Sequence, residues 1–347
     1  MTIVNVEEAL KFNDRIFIDV RSQKEFDESH ITGALNWPIL NDIERDTVGK
    51  IYKAQGKSDA VIEGIDVVHG KLKDFFGMLN ELTKDYEKII LYCSRGGMRS
   101  NTLYTFGKSI GVANLFKLDG GYKAYRNHVI SESNLLLENK PLIVVHGQTG
   151  VGKTKILNGL IKKEIPVIDL EDLAKNAGSV FGNVPYDELP PSQKMFENLV
   201  FEKLRTEKPF IFVESESKRI GTVSMTNEFY QAMQNGKHVL VKTNIENRIS
   251  IIKELYLPSL KSKKIIDSIN HLRKRLGHVK VDMLIELVNE EKFDEIIRML
   301  IEEYYDPLYN YSIKKQTEYD FEIEYNLINE AVGALENFYK EVKDENK

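Results

Sequence analysis

The sequence predicts an α/β protein with two successive parallel sheets, each with helices on its faces. Short apolar runs alternate twice along the 347 residues with segments of helical pattern, and this alternation is typical of parallel sheets. Two glycine-containing loops, at residues 93–100 and 147–154, each separate an apolar run from a helical segment. We expect one domain over residues 1–135 and a second domain over residues 136–347.

The first domain is predicted from short strands that alternate with helices. The strand segments are rich in isoleucine, leucine, phenylalanine and valine and are too short to be helices. A polar segment at residues 131–140 is expected to mark the end of this domain. The predicted strands are residues 15–20, 88–92 and 112–118, and the predicted helices are residues 71–82, 100–110 and 121–129.

A second alternating series begins at Pro141. Its strands are again short apolar runs, and the same argument predicts a second parallel sheet. From Ser259 onward the sequence is charged and has only helical patterns, including residues 294–304, so we expect a helical C-terminal region. The predicted strands are residues 142–145, 166–169, 210–213 and 238–241, and the predicted helices are residues 153–163, 192–206 and 247–255.

The composition argues against several classes of protein. No run approaches the ~18 apolar residues of a membrane-spanning helix, and residues 1–10 lack the basic start and apolar stretch of a signal peptide. The single cysteine excludes an internal disulfide and fits a reducing cytoplasm, where we expect the protein. Because the net charge is −5, any nucleic acid has to bind a local basic patch.

The first loop carries that single cysteine. Cys93 follows a predicted strand and precedes Arg95, Gly96, Gly97 and Arg99. Amide groups and a helix N-terminus lower the pKa of a thiol and stabilise anions attached to it, and glycines let a loop curl around such an anion. We interpret Cys93 as a reactive thiol and the other four residues as its catalytic loop. A cysteine that only packs in the core is the alternative.

The second loop fits the Walker A pattern of a P-loop NTPase-like domain. Gly147, Gly150 and Gly152 lie between a predicted strand and a predicted helix that begins with Lys153 and Thr154. In such loops, backbone N–H groups cradle phosphates, the lysine reaches terminal phosphate oxygens, and the threonine binds phosphate or Mg²⁺. We therefore assign these five residues to phosphate binding, with Mg²⁺ possible at Thr154.

A polar cluster follows the strand predicted at residues 210–213. Ligands bind at the carboxyl ends of strands in open α/β sheets, so Glu214, Glu216 and Arg219 are expected in the same crevice as the P-loop. We assign Glu214 or Glu216 to a metal ion or to orienting Lys153, and Arg219 to phosphate or RNA. A polar surface loop is the alternative.

Several N-terminal segments resemble a rhodanese domain. They are Asp19-Val20-Arg21-Ser22, Glu25-Phe26 and residues 30–36 with the sequence His-Ile-Thr-Gly-Ala-Leu-Asn, followed by Cys93 after a strand. The resemblance implies a parallel sheet with helices on both faces and a cysteine that carries sulfur or selenium. Related phosphatases use a Cys-x5-Arg loop, and Cys93 to Arg99 has that spacing too.

The combination of a rhodanese-like domain with a P-loop domain resembles bacterial tRNA 2-selenouridine synthases. Position 94 is serine, where that family often has a bulky aromatic residue. The likeness covers nearly the whole chain. Further segments that resemble the family are residues 169–174, 178–182, 191–193, 196–198, 214–221 and 305–309.

The resemblance implies a selenotransferase with geranyltransferase activity that acts on 2-thiouridine at the wobble position of tRNA. The family attaches a geranyl group to the sulfur from geranyl diphosphate and then replaces the geranylthio group with selenium from selenophosphate. These co-substrates imply a selenophosphate-producing enzyme as the selenium source and no tightly bound cofactor. The P-loop would then hold the diphosphate of the prenyl donor, and Cys93 would serve the selenium step.

Contacts to tRNA are expected from basic residues on the C-terminal helices. Lys263, Lys264, Arg273 and Arg275 lie on segments of helical pattern and are assigned to phosphate contacts, although a solvated helix face has the same composition. The aromatic side chains of Tyr304, Tyr305 and Tyr309 are candidates to stack on a base, to line a prenyl pocket or to pack in the core.

Two other functions fit parts of the pattern. An ATP-dependent tRNA sulfurtransferase would use the P-loop to activate a substrate oxygen and Cys93 to deliver sulfur. A Cys-x5-Arg phosphatase fused to an NTP-binding module would use the same two loops, but it leaves the Glu214–Glu216 cluster without a purpose.

Overall fold

A computed structural model describes residues 2–178, 181–182, 184–256, 263–308 and 318–345 of the chain. The chain forms two compact units, one of Met1–Ser133 with Glu197–Leu199 and one of Asn134–Phe196 with Val200–Lys347. Each unit contains a five-stranded sheet in which every pair of neighbouring strands is parallel. The α/β class predicted from the sequence is confirmed.

The first unit has strands in the order β1-β5-β4-β2-β3. Its strands are β1 (Ile3–Val4), β2 (Arg15–Asp19), β3 (Leu35–Asn36), β4 (Lys88–Tyr92) and β5 (Leu115–Leu118). Its helices are α1 (Val6–Lys11), α2 (Gln23–Glu28), α3 (Asp42–Ala54), α4 (Lys57–His69), α5 (Leu72–Asp85), α6 (Met98–Ser109) and α7 (Gly121–Asn139).

The central strand β4 explains why the catalytic loop of this unit has a fixed position. Ile89, Ile90, Leu91 and Tyr92 are fully buried, because helices cover both faces of a parallel sheet and leave no polar side to its strands. Strands β2 and β5 pair with β4 on either side. The loop that begins at Cys93 is therefore anchored at the middle of the sheet.

The polar segment at residues 131–140 contains the division between the two units, which falls after Ser133, and it is mostly helical. Helix α7 continues to Asn139, and its buried residues Tyr122, Tyr125, Val129 and Leu137 share one face. The polar residues between them occupy the remaining faces, as expected for an amphipathic helix. Composition alone does not distinguish such a face from a linker.

The second unit has strands in the order β12-β11-β6-β8-β7 and a separate hairpin of β9 and β10. Its strands are β6 (Leu142–His146), β7 (Val167–Ile168), β8 (Ile211–Glu214), β9 (Arg219–Ile220), β10 (Val223–Ser224), β11 (Lys237–Lys242) and β12 (Phe321–Glu324). Its helices up to residue 256 are α8 (Lys153–Ile161), α9 (Leu170–Ala174), α10 (Gln193–Leu204), α11 (Asn227–Gln234) and α12 (Ile245–Tyr256).

The remaining helices form a compact apolar cluster and a C-terminal cover. Helices α13, α15 and α16 bury residues such as Ile269, Val288 and Ile296 against one another. The bounds are α13 (Lys263–His271), α14 (Arg273–Leu276), α15 (His278–Asn289), α16 (Phe293–Leu300), a π-helical turn (Ile301–Tyr305) and α17 (Ile328–Glu345).

The C-terminal region is mainly helical, as the sequence predicts, but it also contains a strand. Strand β12 pairs in parallel with β11 and places Phe321 and Ile323 against the core while Glu322 and Glu324 alternate with them. Four residues with two glutamates give too weak an alternating signal to stand out from a charged helical pattern. Helix α17 then packs on α8, where Val332 fills the space left by Gly159.

No helix among residues 2–178, 181–182, 184–256, 263–308 and 318–345 is long and apolar enough to cross a membrane. This finding agrees with the expectation from the hydropathy of the sequence.

The buried face of α17 generates a test of the fold. Leu335 is fully buried in the core of the second unit. Leu335→Ala should therefore lower the free energy of unfolding by about 2–5 kcal/mol, since it removes apolar contacts and leaves a cavity. Urea denaturation followed by circular dichroism measures the change. The exposed residue Glu341 on the same helix gives the matched control, and a Leu335→Ala variant as stable as Glu341→Ala would contradict this packing.

Candidate active site

The thiol of Cys93 lies in the loop between β4 and α6, as the sequence predicted. The residue is 3% exposed. Its Sγ atom lies 3.2 Å from Oγ of Ser100 and 4.0 Å from the carbonyl oxygen of Gly97. Sequence reasoning had not selected Ser100, whose hydroxyl is the polar side-chain group closest to the thiol among the contacts of the described chain.

The backbone of the cysteine loop packs against the start of α7, where a second Gly-Gly pair, Gly120-Gly121, was not selected from the sequence. The amides of Tyr122 and Lys123 donate hydrogen bonds to the carbonyls of Cys93 and Ser94, at 2.8 and 2.9 Å. Gly121 has a φ of +58°, and a Cβ atom there would lie 2.2 Å from the carbonyl oxygen of Cys93. Only glycine permits this close approach.

The two arginines of the cysteine loop have different surroundings. Arg99 donates hydrogen bonds to both carboxylate oxygens of Glu25, at 2.5 and 3.1 Å. Burial raises the pKa of Glu25, but the contact with Arg99 outweighs it and the pKa lies below its usual value. Arg95 is exposed. In this structure Arg99 therefore orders the loop through Glu25, and Arg95 is the loop cation that faces solvent.

The rhodanese-like motif at Asp19 and Arg21 has a structural role. Arg21 is 4% exposed and binds the carboxylate of Asp19 through its Nε and Nη2 atoms. Its guanidinium also lies 4.1 Å from the ring centre of Tyr122, the residue whose amide holds Cys93. A buried, fully paired arginine of this kind fixes the neighbouring backbone.

The P-loop connects β6 to α8 in the second unit. Gly150 and Gly152 have φ values of +84° and +71°, which residues other than glycine rarely adopt. Lys153 and Thr154 form the first turn of α8, and Nζ of Lys153 donates to the carbonyl oxygen of Gly147 at 3.4 Å. The structure thus brings together all five residues that the Walker A pattern selected.

Two residues far away in sequence hold the P-loop from outside. Nε of Arg248 donates to the carbonyl oxygen of Thr149 at 2.8 Å. The hydroxyl of Tyr325 donates to the carbonyl oxygen of Val151. Both residues are at least nine-tenths buried. Neither lies in a recognisable motif, so sequence reasoning had no signal for them.

Four acidic side chains cluster at the carboxyl edge of this sheet. Strand β8 lies beside β6 as expected, with Glu214 opposite Val145. The amide of Glu171 donates to Oε1 of Glu214 at 2.6 Å, whereas Oε2 of Glu214 is buried and has no hydrogen-bond partner. Asp169 and Glu171 had not been selected as site residues, although they follow β7 at the same edge.

Burial keeps this cluster partly protonated. Burial raises the pKa of Asp169 to about 6, and burial together with the charge of Glu216 raises the pKa of Glu171 to about 8. The pKa of Glu214 lies well above its usual value, first through burial and then through its acidic neighbours. Burial also raises the pKa of Glu216, against the opposing charge of Lys153. The P-loop lysine therefore faces carboxyl groups that are not all ionised at neutral pH.

A cavity of about 440 Å³ opens beside the P-loop. P-loop residues 149–154 and Glu171 contribute polar lining. The rest is mainly aliphatic side chains of α12, α13, α15 and α16. They include Ile251, Ile252, Ile269, Val288, Ile297 and Leu300.

Arg219 lies outside the crevice in which it was expected. It is exposed on the β9–β10 hairpin, its Nε donates to the carbonyl oxygen of Gly221 at 3.2 Å, and it is not among the described residues that line the cavity. The polar segment after β8 turns into this hairpin, which carries Arg219 away from the sheet edge. Its assignment to the diphosphate is therefore not retained.

The residues assigned to RNA have partners within the protein. Lys264 lies 3.7 Å from Asp187, Arg273 binds Asp282 at 2.7 Å, and the guanidinium of Arg275 lies 5.7 Å from the ring centre of Tyr304. The side chain of Lys263 and the whole of Tyr309 lie outside the described residues. Tyr304 is buried and Tyr305 lines the cavity.

Among the described parts of the chain, no group of three or more histidine, cysteine, aspartate or glutamate side chains has an arrangement that could hold a metal ion.

Comparison with known proteins gives matches to both units. A model of the tRNA 2-selenouridine synthase AAA domain matches residues 140–332, and a model of the rhodanese-like domain matches residues 3–128. A crystal structure of the N-terminal domain of a Clostridium difficile 630 protein covers 37% of this chain and 98% of its own length, with 46% identity and a TM-score of 0.36.

Three bacterial tRNA 2-selenouridine synthases are similar to this chain. The Nitrosomonas europaea protein is 35% identical over 256 residues, which cover 72% of this chain and 65% of that protein. The Pseudomonas syringae pv. syringae protein is 32% identical, with 87% and 90% covered. The Hydrogenovibrio crunogenus protein is 31% identical, with 91% and 94% covered. Because the AAA-domain model of this family matches residues 140–332 and relatives that are 31–35% identical align with most of the chain, the chain belongs to the tRNA 2-selenouridine synthase family.

Proposed function

We propose that this protein converts 2-thiouridine at the wobble position of tRNA to 2-selenouridine. Its relatives are named for 2-selenouridine synthesis on tRNA. In the proposed reaction, the sulfur of 2-thiouridine first displaces diphosphate from geranyl diphosphate. Selenium supplied as selenophosphate by another enzyme then replaces the geranylthio group. The cytoplasm, which holds tRNA and reduced thiols, is the proposed location.

The observation that carries the geranyl step is the apolar cavity beside the P-loop. The loop supplies Lys153, Thr154 and a helix N-terminus, which suit a diphosphate. The aliphatic part of the cavity suits a hydrocarbon chain, and about 440 Å³ lies within the usual range for small-molecule sites. A prenyl diphosphate has this division between a charged end and an apolar end.

A nucleoside triphosphate fits this lining less well. Ribose hydroxyls and base amides lose hydrogen bonds to water when they enter an aliphatic cavity, and each one left unpaired is unfavourable. Ile251, Ile252, Ile297 and Leu300 offer no such partners, and polar side chains such as Asn158 and Glu254 are a minority of the lining outside the loop. The lining therefore favours geranyl diphosphate over ATP as the occupant of the P-loop.

A Mg²⁺ ion is compatible with the diphosphate end. Mg²⁺ usually binds through one or two protein groups together with substrate phosphates and water, so three protein ligands are not needed. Thr154 lies in the first turn of α8 and lines the cavity, which makes its hydroxyl the group that would hold the ion. Bound there, Mg²⁺ would neutralise charge on the leaving diphosphate.

Cys93 is proposed to be the nucleophile of the second step. Its thiolate would attack C2 of the geranylated base and expel geranylthiolate. The selenium of selenophosphate would then displace the thiolate from C2, and water would cleave the P–Se bond to release phosphate. Cys93 has the only thiol in the sequence, it lies at the carboxyl end of β4, and it is held by Gly97, Ser100 and the amide of Tyr122. Exposed Arg95 is placed to attract an anionic selenium donor or the tRNA backbone. Lys264, Arg273 and Arg275 stay assigned to tRNA contact.

The P-loop assignment is tested with purified protein, 2-thiouridine-containing tRNA, geranyl diphosphate and selenophosphate, without ATP. Mass spectrometry of the nucleosides should show 2-selenouridine. Lys153→Ala should slow geranylation on the order of a hundredfold, because it removes a charged donor to the departing diphosphate. Selenation of RNA that is already geranylated should persist. Lys162→Ala, an exposed lysine at the end of α8, is the control, and a requirement for ATP would favour the sulfurtransferase alternative.

The assignment of Cys93 predicts loss of selenation with geranylation retained. Cys93→Ala and Cys93→Ser should accumulate geranylated 2-thiouridine and form no 2-selenouridine, because the thiol serves only the second step. The same mass spectrometry separates the two products. Normal selenation by the alanine variant would disprove the role of Cys93.

The acidic cluster predicts a pH dependence of prenyl diphosphate binding. Because Glu171 has a pKa of about 8, it gains a negative charge as the pH rises through 8 and then repels the diphosphate. The dissociation constant of geranyl diphosphate should rise by up to about tenfold between pH 7 and pH 9. Isothermal titration calorimetry measures this change.

Glu171→Gln should flatten that pH profile, because glutamine stays neutral. Glu207→Gln, at an exposed position, should keep the wild-type profile. Equal pH profiles for Glu171→Gln and the wild type would show that Glu171 does not titrate next to the ligand.

A further inference from the structure

Helix α12 lies against both the P-loop and the apolar cavity. A Cβ atom at Gly150 would lie 2.7 Å from Cδ1 of Ile252, and one at Gly152 would lie 3.3 Å from Cδ1 of Ile251. Both isoleucines also line the cavity. The helix therefore contacts the diphosphate end and the apolar end of the same site.

Arg248 on this helix has a guanidinium group that bridges two parts of the site. One edge holds the P-loop, because Nε donates to the carbonyl oxygen of Thr149 at 2.8 Å and Nη1 donates to Oε1 of Gln148 at 3.3 Å. The other edge binds both carboxylate oxygens of Asp306, at 3.0 and 2.6 Å. Arg248 is 4% exposed, so these charge-assisted contacts are shielded from water.

Asp306 belongs to the segment that forms the cavity wall. It directly follows the π-helical turn Ile301–Tyr305, in which Ile301 and Tyr305 line the cavity. π-Helical turns are rare and occur frequently at functional sites. Arg248 thus links the P-loop backbone to the end of this turn by hydrogen bonds to both.

We propose that Arg248 and Asp306 are positioning residues that hold the P-loop in register with the apolar wall, so that the charged end and the chain of one prenyl diphosphate bind together. This inference rests on the proposed function. Neither residue needs to touch the reacting atoms. Their effect is to set the position of the loop at Gln148 and Thr149 relative to Ile301 and Tyr305.

The pair differs from two exposed ion pairs that join α12 to α16. Glu246 on α12 binds Arg298 on α16 at 2.7 Å, and Lys253 on α12 binds Asp294 on α16 at 2.7 Å. Their side chains are 40–71% exposed, whereas Arg248 is buried. Of these three pairs, the one containing Arg248 is the one that hydrogen-bonds the P-loop. Fastening α12 to α16 alone would not require that contact.

The test compares two ligands in the full-length protein. Inorganic diphosphate would contact only the P-loop, so a shift of the loop should change its affinity little. Geranyl diphosphate would contact the P-loop and the apolar wall at once, so its affinity depends on the position of one relative to the other. Calorimetry on the wild type should show tighter binding of geranyl diphosphate. Arg248→Lys and Asp306→Asn should each reduce the affinity ratio of the two ligands by about tenfold or more. A merely structural role would weaken both ligands by the same factor.

Controls make each outcome decisive. Arg298→Lys and Glu246→Gln should keep the ratio within about twofold, since exposed ion pairs contribute little. Asp306→Asn keeps the shape of the side chain, so it decides the question if Arg248→Lys does not fold. An unchanged ratio in Asp306→Asn overturns the positioning role but leaves the proposed function intact. A wild-type protein without preference for geranyl diphosphate overturns the proposed function and this inference with it.

Discussion

The carbonyl oxygens of the P-loop are held by side chains from three separate elements. Lys153 at the start of α8 reaches Gly147, Arg248 on α12 reaches Thr149, and Tyr325 after β12 reaches Val151. A P-loop binds phosphate through its N–H groups, so most of its carbonyl groups have to find other hydrogen-bond donors. The positive φ values of Gly150 and Gly152 shape the loop. The buried Arg248 supplies one donor to its carbonyl groups, and the pairing of β12 with β11 places Tyr325 to supply another.

The cysteine loop of the first unit meets the same requirement by different means. The carbonyls of Cys93 and Ser94 accept hydrogen bonds from backbone amides at the start of α7. No side chain is needed for these contacts, and the loop can therefore pack directly against Gly121. The cysteine loop is thus held by backbone-to-backbone hydrogen bonds and the P-loop by side-chain-to-backbone hydrogen bonds, although both loops follow a buried parallel strand.

The sequence predicted those strands, helices and loops whose pattern lies within a short segment of the chain. Strands at residues 88–92 and 142–145, both glycine loops and the helices after them follow from short apolar runs and motif spacing. The helix predicted at residues 121–129 continues to Asn139, and this continuation was missed because an amphipathic helix resembles a polar linker. The strand β12 was missed because a charged strand resembles a helix. Arg248 and Asp306 lie 99 and 58 residues from their partners Thr149 and Arg248, and no local pattern reports such contacts.

The contact of Tyr325 with the P-loop has a consequence for folding during synthesis. The hydroxyl of Tyr325 binds a carbonyl 174 residues earlier in the chain. A nascent chain on the ribosome acquires its Walker A segment long before β12 and Tyr325 emerge, because synthesis proceeds from the N-terminus. The P-loop of a growing chain therefore lacks this contact until residue 325 has been made. The backbone contacts of the cysteine loop are all available once residue 123 has been made, so this loop can reach its final structure much earlier than the P-loop.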